Sequence, residues 1–267
     1  MNWRGKMTKT VVVTGASGGL GKEFVHQYLE KKYKVIGIDI EMGSLEKIND
    51  KNFIFYKCDL THRQSLSNVM SEIQKIIGIP DIWINNAGIV NMDSFLNESE
   101  NKFDQVMQIN FHAPMRIMKI LIPLMEQNGG GKVVNVSSVA GLISAPIISS
   151  YCASKFALVG LTESVQQELE IKNSPVDLIL VCPGFIQTEL IKLGQKNGFP
   201  EHLKHFLSTS ENAVSNIIKG IENNKKFIDP TINGKVMSMA NRFGPKLLKN
   251  MAAKLAIPEA LKQKIKN

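Results

Sequence analysis

The feature that most constrains this chain lies near its start. The β-branched run Thr10-Val11-Val12-Val13 passes without a break into Thr14-Gly15-Ala16-Ser17-Gly18-Gly19-Leu20-Gly21. Apolar residues then return at helical spacing through Phe24, Val25, Tyr28 and Leu29. The first pattern reads as a buried strand and the second as an amphipathic helix. Glycines let a backbone turn sharply and approach a pyrophosphate closely, and the opening turn of a helix offers unpaired N–H groups to negative charge. Strand, glycine turn and helix together predict a dinucleotide-binding unit. The glycines are spaced Gly15, Gly19, Gly21, with three residues in the first gap rather than one.

The alternation of strands and helices continues down the chain. Lys34-Val35-Ile36-Gly37-Ile38-Asp39 reads as a second strand, ending in an acid 18 residues after Gly21. An Asp there accepts hydrogen bonds from a ribose hydroxyl and repels a 2′-phosphate. Ile40 and Glu41 follow, with no cation to receive that phosphate, so the pattern predicts NAD over NADP. The plain alternative is a solvated strand-end Asp. Phe53-Ile54-Phe55-Tyr56-Lys57 is a third strand, closing on Cys58-Asp59-Leu60. Asp59 either reaches an adenine amino group or caps the next helix, which the periodicity places at 65–77. Ile82-Trp83-Ile84 leads into Asn85-Asn86-Ala87-Gly88, a sequence that suits close packing against a cofactor and equally suits an ordinary turn.

Residues 102–125 read as one long helix. Asn110 inside it is a poor helix former, and Pro114 follows; together they would loosen the helix and free a carbonyl, or only kink it. Gly131-Lys132-Val133-Val134-Asn135-Val136 is a fifth strand, with Ser137-Ser138 at its end. The helix opened by Ser150 carries Tyr151 and Lys155 one turn apart on one face. An ammonium beside a phenol stabilises the phenolate, which suits acid–base work on an alcohol or a carbonyl. Tyr-x-x-x-Lys recurs by chance in many helices, so the rest of the chain must decide. A sixth strand, 176–181, ends in Cys182-Pro183-Gly184. The aperiodic stretch 185–207 is a candidate lid. Residues 211–222 form a short helix with Ser210 as N-cap, and Phe227-Ile228 begins a last strand. In open parallel sheets ligands bind at the carboxyl ends of the strands, where the glycine loop, Asp39, Asp59, Asn86 and Ser138 would converge.

Cys58, Cys152 and Cys182 are odd in number, far apart and fit no metal spacing. They read as small buried hydrophobes in a reducing compartment. No signal peptide is evident, because the apolar run after the basic start is only Val11-Val12-Val13, and no stretch is long enough to span a bilayer. A cytoplasmic protein is expected. The net charge of +8 is uneven: residues 230–267 hold eight Lys or Arg against one acid, Glu259, leaving the body close to neutral. No nucleic-acid partner is expected from such a body. In the tail, Leu247, Leu248, Met251, Ala252 and Leu255 fall on one arc of a helical wheel, opposite Lys246, Lys249 and Lys254. Three readings compete: a cover over the substrate mouth or a subunit interface, a helix lying on an anionic membrane surface, or a solvated end with no role.

Thr14-Gly15-x-x-x-Gly19-x-Gly21, Asn85-Asn86-Ala87-Gly88, Asn110, Ser138, Tyr151-x-x-x-Lys155 and Pro183-Gly184 with Thr188 stand in an order and spacing that resemble the short-chain dehydrogenase/reductase family. The resemblance covers about residues 8–225. It implies an α/β fold: a doubly wound parallel sheet of about seven strands, Rossmann type, with helices on both faces. The expected organisation is a catalytic domain, 1–229, including the lid 185–207, and a basic extension, 230–267, where the chain departs from the family's glycine-rich final strand. The resemblance makes Tyr151 the general acid/base. Lys155 would lower the phenol's pKa and hold the nicotinamide ribose. Ser138 would position the substrate oxygen, and Asn110 would hold a water that relays protons. The cofactor would lie against Gly15, Ser17, Gly19, Leu20, Gly21, Asp39, Asp59, Leu60, Asn86, Ala87, Gly88, Tyr151, Lys155, Pro183, Gly184, Ile186 and Thr188. The implied reaction is reversible hydride transfer between NAD and a secondary alcohol or carbonyl. The lining expected from Ile89, Val90, Ile143, Pro146, Phe185 and Leu190 suits a lipid-, steroid- or retinoid-like substrate. A homodimer or homotetramer through the long helices is also implied. Two rivals are a non-catalytic dinucleotide sensor, which would typically lack part of the Asn-Ser-Tyr-Lys set present here, and a peripheral membrane protein acting through its tail.

Overall fold

A computed structural model of the chain describes residues 8–187 and 207–243. Seven strands form one sheet in the order β3-β2-β1-β4-β5-β6-β7, every neighbouring pair parallel. They are β1 (Thr10–Thr14), β2 (Lys34–Asp39), β3 (Phe53–Lys57), β4 (Ile82–Asn85), β5 (Gly131–Val136), β6 (Val176–Val181) and β7 (Phe227–Ile228). The seven-stranded doubly wound expectation is therefore met.

The strands are apolar on both faces because helices cover both. Side chains alternate along a strand, so Val11 and Val13 face one layer and Val12 the other. The first layer packs α1 (Gly19–Glu30) and α6 (Ser210–Glu222) through Phe24, Val25, Val214 and Ile217. The second packs α2 (Arg63–Ile77), α4 (Ala113–Gln127) and α5 (Ser149–Ile171) through Leu66, Met70, Ile117, Leu121 and Leu169. The cysteines lie in this interior, all three buried and unpaired.

The expected single helix over 102–125 is instead α3 (Glu100–Met107), a π turn (Gln108–His112) and then α4. The break has a sequence cause. In an α-helix the Asn110 carbonyl would accept from the N–H of residue 114, and Pro114 has none. The N-cap of α6 is Thr209 rather than Ser210; its hydroxyl accepts from Asn212 N at 3.2 Å.

A buried polar chain links strands to helix. Trp83 Nε1 donates to Asn85 Oδ1 (3.0 Å), Asn85 Nδ2 to Asn135 Oδ1 (2.8 Å), and Asn135 Nδ2 to Thr162 Oγ1 (2.9 Å). It ties α5 to β4 and β5, because buried polar groups must find partners.

After β7 the chain forms α7 (Ile232–Phe243). The expected basic helix beyond it, Thr188, Leu190 and the lid residues 188–206 lie outside the described residues. The two ends of the lid segment meet, with Gln187 N donating to Ser208 O at 2.9 Å and Ser208 N to Phe185 O at 3.1 Å. Among the described residues no helix is long and apolar enough to cross a membrane.

Candidate active site

The chain order of the sheet reverses between β1 and β4, so the loops that leave these strands part company there and open a crevice. They touch at its floor. A side chain on Gly15 would put Cβ 2.6 Å from Ala87 Cα, and Gly15 holds φ +64°, so glycine is required on both counts. Gly21 is as constrained, since its Cβ would fall 1.9 Å from the Gly15 carbonyl oxygen. This closeness packs the start of α1 into the turn. The first turn of α1 has neither a side-chain cap nor an acid, so its N–H groups face the crevice without a protein acceptor.

Of the predicted cofactor residues, Asp39 and Asn86 contact the glycine loop directly. Asp39 Oδ2 accepts from Ser17 N at 2.9 Å, and Oδ1 from Ile40 N at 2.7 Å. The Ser17 hydroxyl donates to the Glu41 carbonyl. Asp39 thus joins the glycine loop to the end of β2. Cys58 N donates to Asp39 O at 2.7 Å, which draws Asp59 alongside. Asp59 does not cap α2: Oδ1 accepts from Thr61 N and Oγ1 (2.9 and 2.8 Å), ahead of the helix whose N-cap is His62. Leu60 is in the core. The amides of Asn85 and Asn86 serve the protein itself. Asn86 Nδ2 donates to the carbonyls of Thr14 and Gly15, both at 3.0 Å, and Asn86 N and Ala87 N donate to the Thr14 hydroxyl. A dinucleotide fits this cradle: an uncapped helix start, close-packed glycines and an acid at the ribose end of the crevice.

The catalytic candidates meet at the ends of β5 and β6. Ser138 leaves β5 and caps a 3₁₀ turn (Val139–Gly141), its hydroxyl accepting from Ala140 N at 3.1 Å. That turn lies directly on α5, because a Cβ on Gly141 would come 2.7 Å from the Lys155 carbonyl oxygen. Lys155 is only 4% exposed, and its ammonium donates to the Val136 carbonyl at 2.9 Å. It sits 5.7 Å from the centre of the Tyr151 ring. Gly88 closes over it, with a Cβ position 3.5 Å from Lys155 Nζ and 3.4 Å from Asn110 Oδ1.

Asn110 is fully buried. Its Oδ1 accepts from Ile89 N at 2.9 Å, and its Nδ2 donates to Ile89 O at 2.9 Å and to Ser154 Oγ at 3.0 Å. The side chain is therefore a strut between the β4 loop and α5. Of the expected apolar lining, Ile143 is buried and Ile89, Val90, Pro146 and Phe185 are half-buried.

Burial pushes the Tyr151 phenol up to about 12, only partly opposed by the hydrogen bond with Ser138. Burial pulls the Lys155 ammonium down to about 8, against the opposing field of Cys182. Desolvation disfavours both charges, and the ammonium is directed at the Val136 carbonyl.

Sequence reasoning missed the role of Thr14, whose hydroxyl accepts from Asn86 N and Ala87 N, and missed Ser137 and Ser154, whose hydroxyls donate to the carbonyls of Lys155 and Tyr151 on α5. It also missed the contact that the chain makes after β7. Gly184 N donates to Thr231 Oγ1 at 3.0 Å, Phe185 N to Asn233 Oδ1 at 3.1 Å, and Asn233 Nδ2 to Phe185 O at 3.1 Å. The start of α7 thus grips the Pro183-Gly184 turn. A small polar Thr-x-Asn-Gly run after a strand was the available signal.

Fold and crevice define a nicotinamide-dinucleotide oxidoreductase of the Rossmann type. A model of the family described as short chain dehydrogenase matches residues 9–197. The "CLA biosynthesis dehydrogenase/reductase" of Lactiplantibacillus plantarum is 33% identical over 189 residues, 68% of this chain and 66%, just under two thirds, of that relative. The "15-hydroxyprostaglandin dehydrogenase [NAD(+)]" of Macaca fascicularis is 31% identical over 217 residues, 74% of this chain and 79% of that one. A solved structure, "ElxO with NADP Bound", superposes with a TM-score of 0.74 at 26% identity, covering 84% of this chain and 95% of that chain. The chain belongs to the short-chain dehydrogenase family, and is an oxidoreductase acting on CH–OH groups.

Lys155 provides a stability test. Its folded pKa, about 8, lies below the ordinary lysine value of 10.5, so its contribution to stability is present above about 10.5 and lost as pH falls to about 8. Against Lys155→Met, the wild type should gain on the order of 3 kcal/mol between pH 8 and 10.5. Urea unfolding of both proteins across that range checks it, and parallel curves would show that Lys155 is not desolvated.

Proposed function

We propose that the chain catalyses reversible, NAD-dependent hydride transfer to or from a secondary alcohol or carbonyl on an apolar molecule. The observation that carries the reading is the meeting of Ser138, Tyr151 and a buried Lys155 beside Gly88, at the carboxyl edge of the sheet. The nicotinamide, when bound, supplies the carbon that gives or takes the hydride. The chain's own residues do the rest. Gly15, Ser17, Gly19, Leu20 and Gly21 hold the pyrophosphate at the start of α1, and Asp39, Asp59 and Leu60 the adenosine side. Asn86, Ala87 and Gly88, with Pro183, Gly184, Ile186 and Thr188, hold the nicotinamide side. Ser138 orients the substrate oxygen. A phenol at about 12 is protonated at neutral pH, so Tyr151 stands ready to donate to an alkoxide and to recover the proton in the other direction. Lys155 holds the nicotinamide ribose, and the Asn110 carbonyl holds the water that passes protons on.

NAD is preferred because Asp39 stands where a 2′-phosphate would lie and the neighbouring Ile40 and Glu41 supply no cation. The apolar substrate is supported by the half-buried Ile89, Val90 and Phe185 and by the relative named for 15-hydroxyprostaglandin. A second reading concerns location. On α7, Ile232, Val236 and Met239 recur at helical spacing and are 80%, 61% and 60% exposed. The strongly basic 230–267 segment carries this stripe, which suits an anionic lipid surface.

Four measurements test these readings. A panel of apolar secondary alcohols and ketones, followed by NADH absorbance, should find a substrate. Tyr151→Phe should then lose at least roughly a thousandfold in kcat with NADH affinity nearly unchanged, the scale of general acid–base catalysis; retained turnover removes Tyr151 from the reaction. Asp39→Asn keeps an acceptor for Ser17 N but removes the charge. It should cut the NAD over NADP preference in kcat/KM by roughly tenfold, about 1.4 kcal/mol, and an unchanged ratio places the ribose elsewhere. The full chain should sediment with phosphatidylserine vesicles at low salt, and joint replacement of Ile232, Val236 and Met239 by serine should release it. A wild type that stays in solution ends the membrane reading.

A further inference from the structure

The loop that follows β4 is fastened to the turn ahead of α5. Asp93 N donates to Ile147 O at 2.9 Å, and Asp93 pairs with Ile148 in a parallel bridge. Ile147 holds φ +64°, a left-handed conformation that a β-branched residue rarely adopts. Such a backbone persists only where its surroundings enforce it. Beyond Asp93 the chain turns back on itself, Glu98 N donating to Ser94 O at 3.0 Å. The turn carries the Glu98 carboxylate to the first turn of α5. There Oε1 accepts from Ser150 Oγ at 2.6 Å and from Asn91 Nδ2 at 2.9 Å.

This contact supplies what α5 lacks. Its N-cap, Ile148, has no polar side chain, and no acid stands in its first turn. Negative charge beside a helix N-terminus is stabilising. Here it arrives from 52 residues earlier in the chain. Ser150 is fully buried and directly precedes Tyr151, so losing the Glu98 acceptor would leave a buried hydroxyl beside the acid/base residue to find another partner.

We propose that Glu98 is a positioning residue, a latch between loop 91–98 and the first turn of α5 that sets the place of Tyr151. The same loop carries Phe95 and Leu96, 66% and 91% exposed, so one carboxylate governs both the acid/base and an apolar segment beside the site. The inference rests on the reading of Tyr151 as acid/base. Displacement of a reacting group by even an ångström costs rate without requiring any loss of fold.

The test compares Glu98→Ala, Glu98→Gln and Ser150→Ala with the wild type. Amide hydrogen exchange, with NADH present, should rise in Glu98→Ala within both 91–98 and 149–155. Glu98→Gln, which keeps an acceptor oxygen, should stay near the wild type. On whichever alcohol or ketone the wild type turns over, Glu98→Ala and Ser150→Ala should each lose roughly ten- to a hundredfold in kcat. NADH affinity should change little, and Glu98→Gln should recover most of the rate. Unchanged exchange in either segment, an unchanged kcat in Glu98→Ala, or a Glu98→Gln as impaired as Glu98→Ala each overturns the latch. If the wild type turns over nothing, the hydride-transfer reading fails, and the exchange measurement still decides whether the latch exists.

Discussion

The hydrogen bond from the Lys155 ammonium to the Val136 carbonyl holds the site together. A lysine that is 4% exposed is unfavourable wherever it stands, because burial strips water from its charge. It can reach the end of β5 only if nothing intervenes. Gly141 gives it that room, since a methyl group there would collide with the Lys155 carbonyl, while a methyl group on Gly88 would come only into ordinary contact with Lys155 Nζ. The Ser137 hydroxyl then donates to that carbonyl at 3.1 Å. Side chain and backbone of the same residue are thereby fixed to the same strand end.

Tyr151 inherits its place from this fastening and from two others. Asn110 reaches α5 through Ser154, and the Ser154 hydroxyl in turn donates to the Tyr151 carbonyl at 2.7 Å. Glu98 reaches it through Ser150. The π turn at Gln108–His112 belongs to the same design, since it turns a residue that would otherwise weaken a helix into a strut between the β4 loop and α5. Phenol and ammonium are both desolvated, so their charges are costly until something pairs with them. A site of this kind keeps its proton on the phenol at neutral pH.

Much of this was legible in one dimension. The β-branched runs, the glycine loop and the acid at the end of β2 each declare themselves through local stereochemistry, and their parallel arrangement follows from the alternation of strand and helix. Asn110 with Pro114 showed as a conflict with helix propensity, although the form of the break, a π turn, did not. Asn86 lies beside the glycine loop, where its amide serves the carbonyls of Thr14 and Gly15. Asp59 resolved into a turn with Thr61 rather than a helix cap. Thr231 and Asn233 were passed over because their small polar run does not name its partners, Gly184 and Phe185, which lie 47 and 48 residues away.

The sequence by itself determined the strands, the glycine turn, the helical spacing of Tyr151 and Lys155 and the carboxylate at Asp39, because each depends on backbone preference or on neighbours within a few residues. Only the tertiary structure decided what those groups experience. That Lys155 points at Val136, that burial raises the Tyr151 phenol, and that α5 takes its missing acid from Glu98 all depend on which distant segments pack together. Desolvation and long-range hydrogen bonds are properties of the packed neighbourhood, and the order of residues along the chain does not record them.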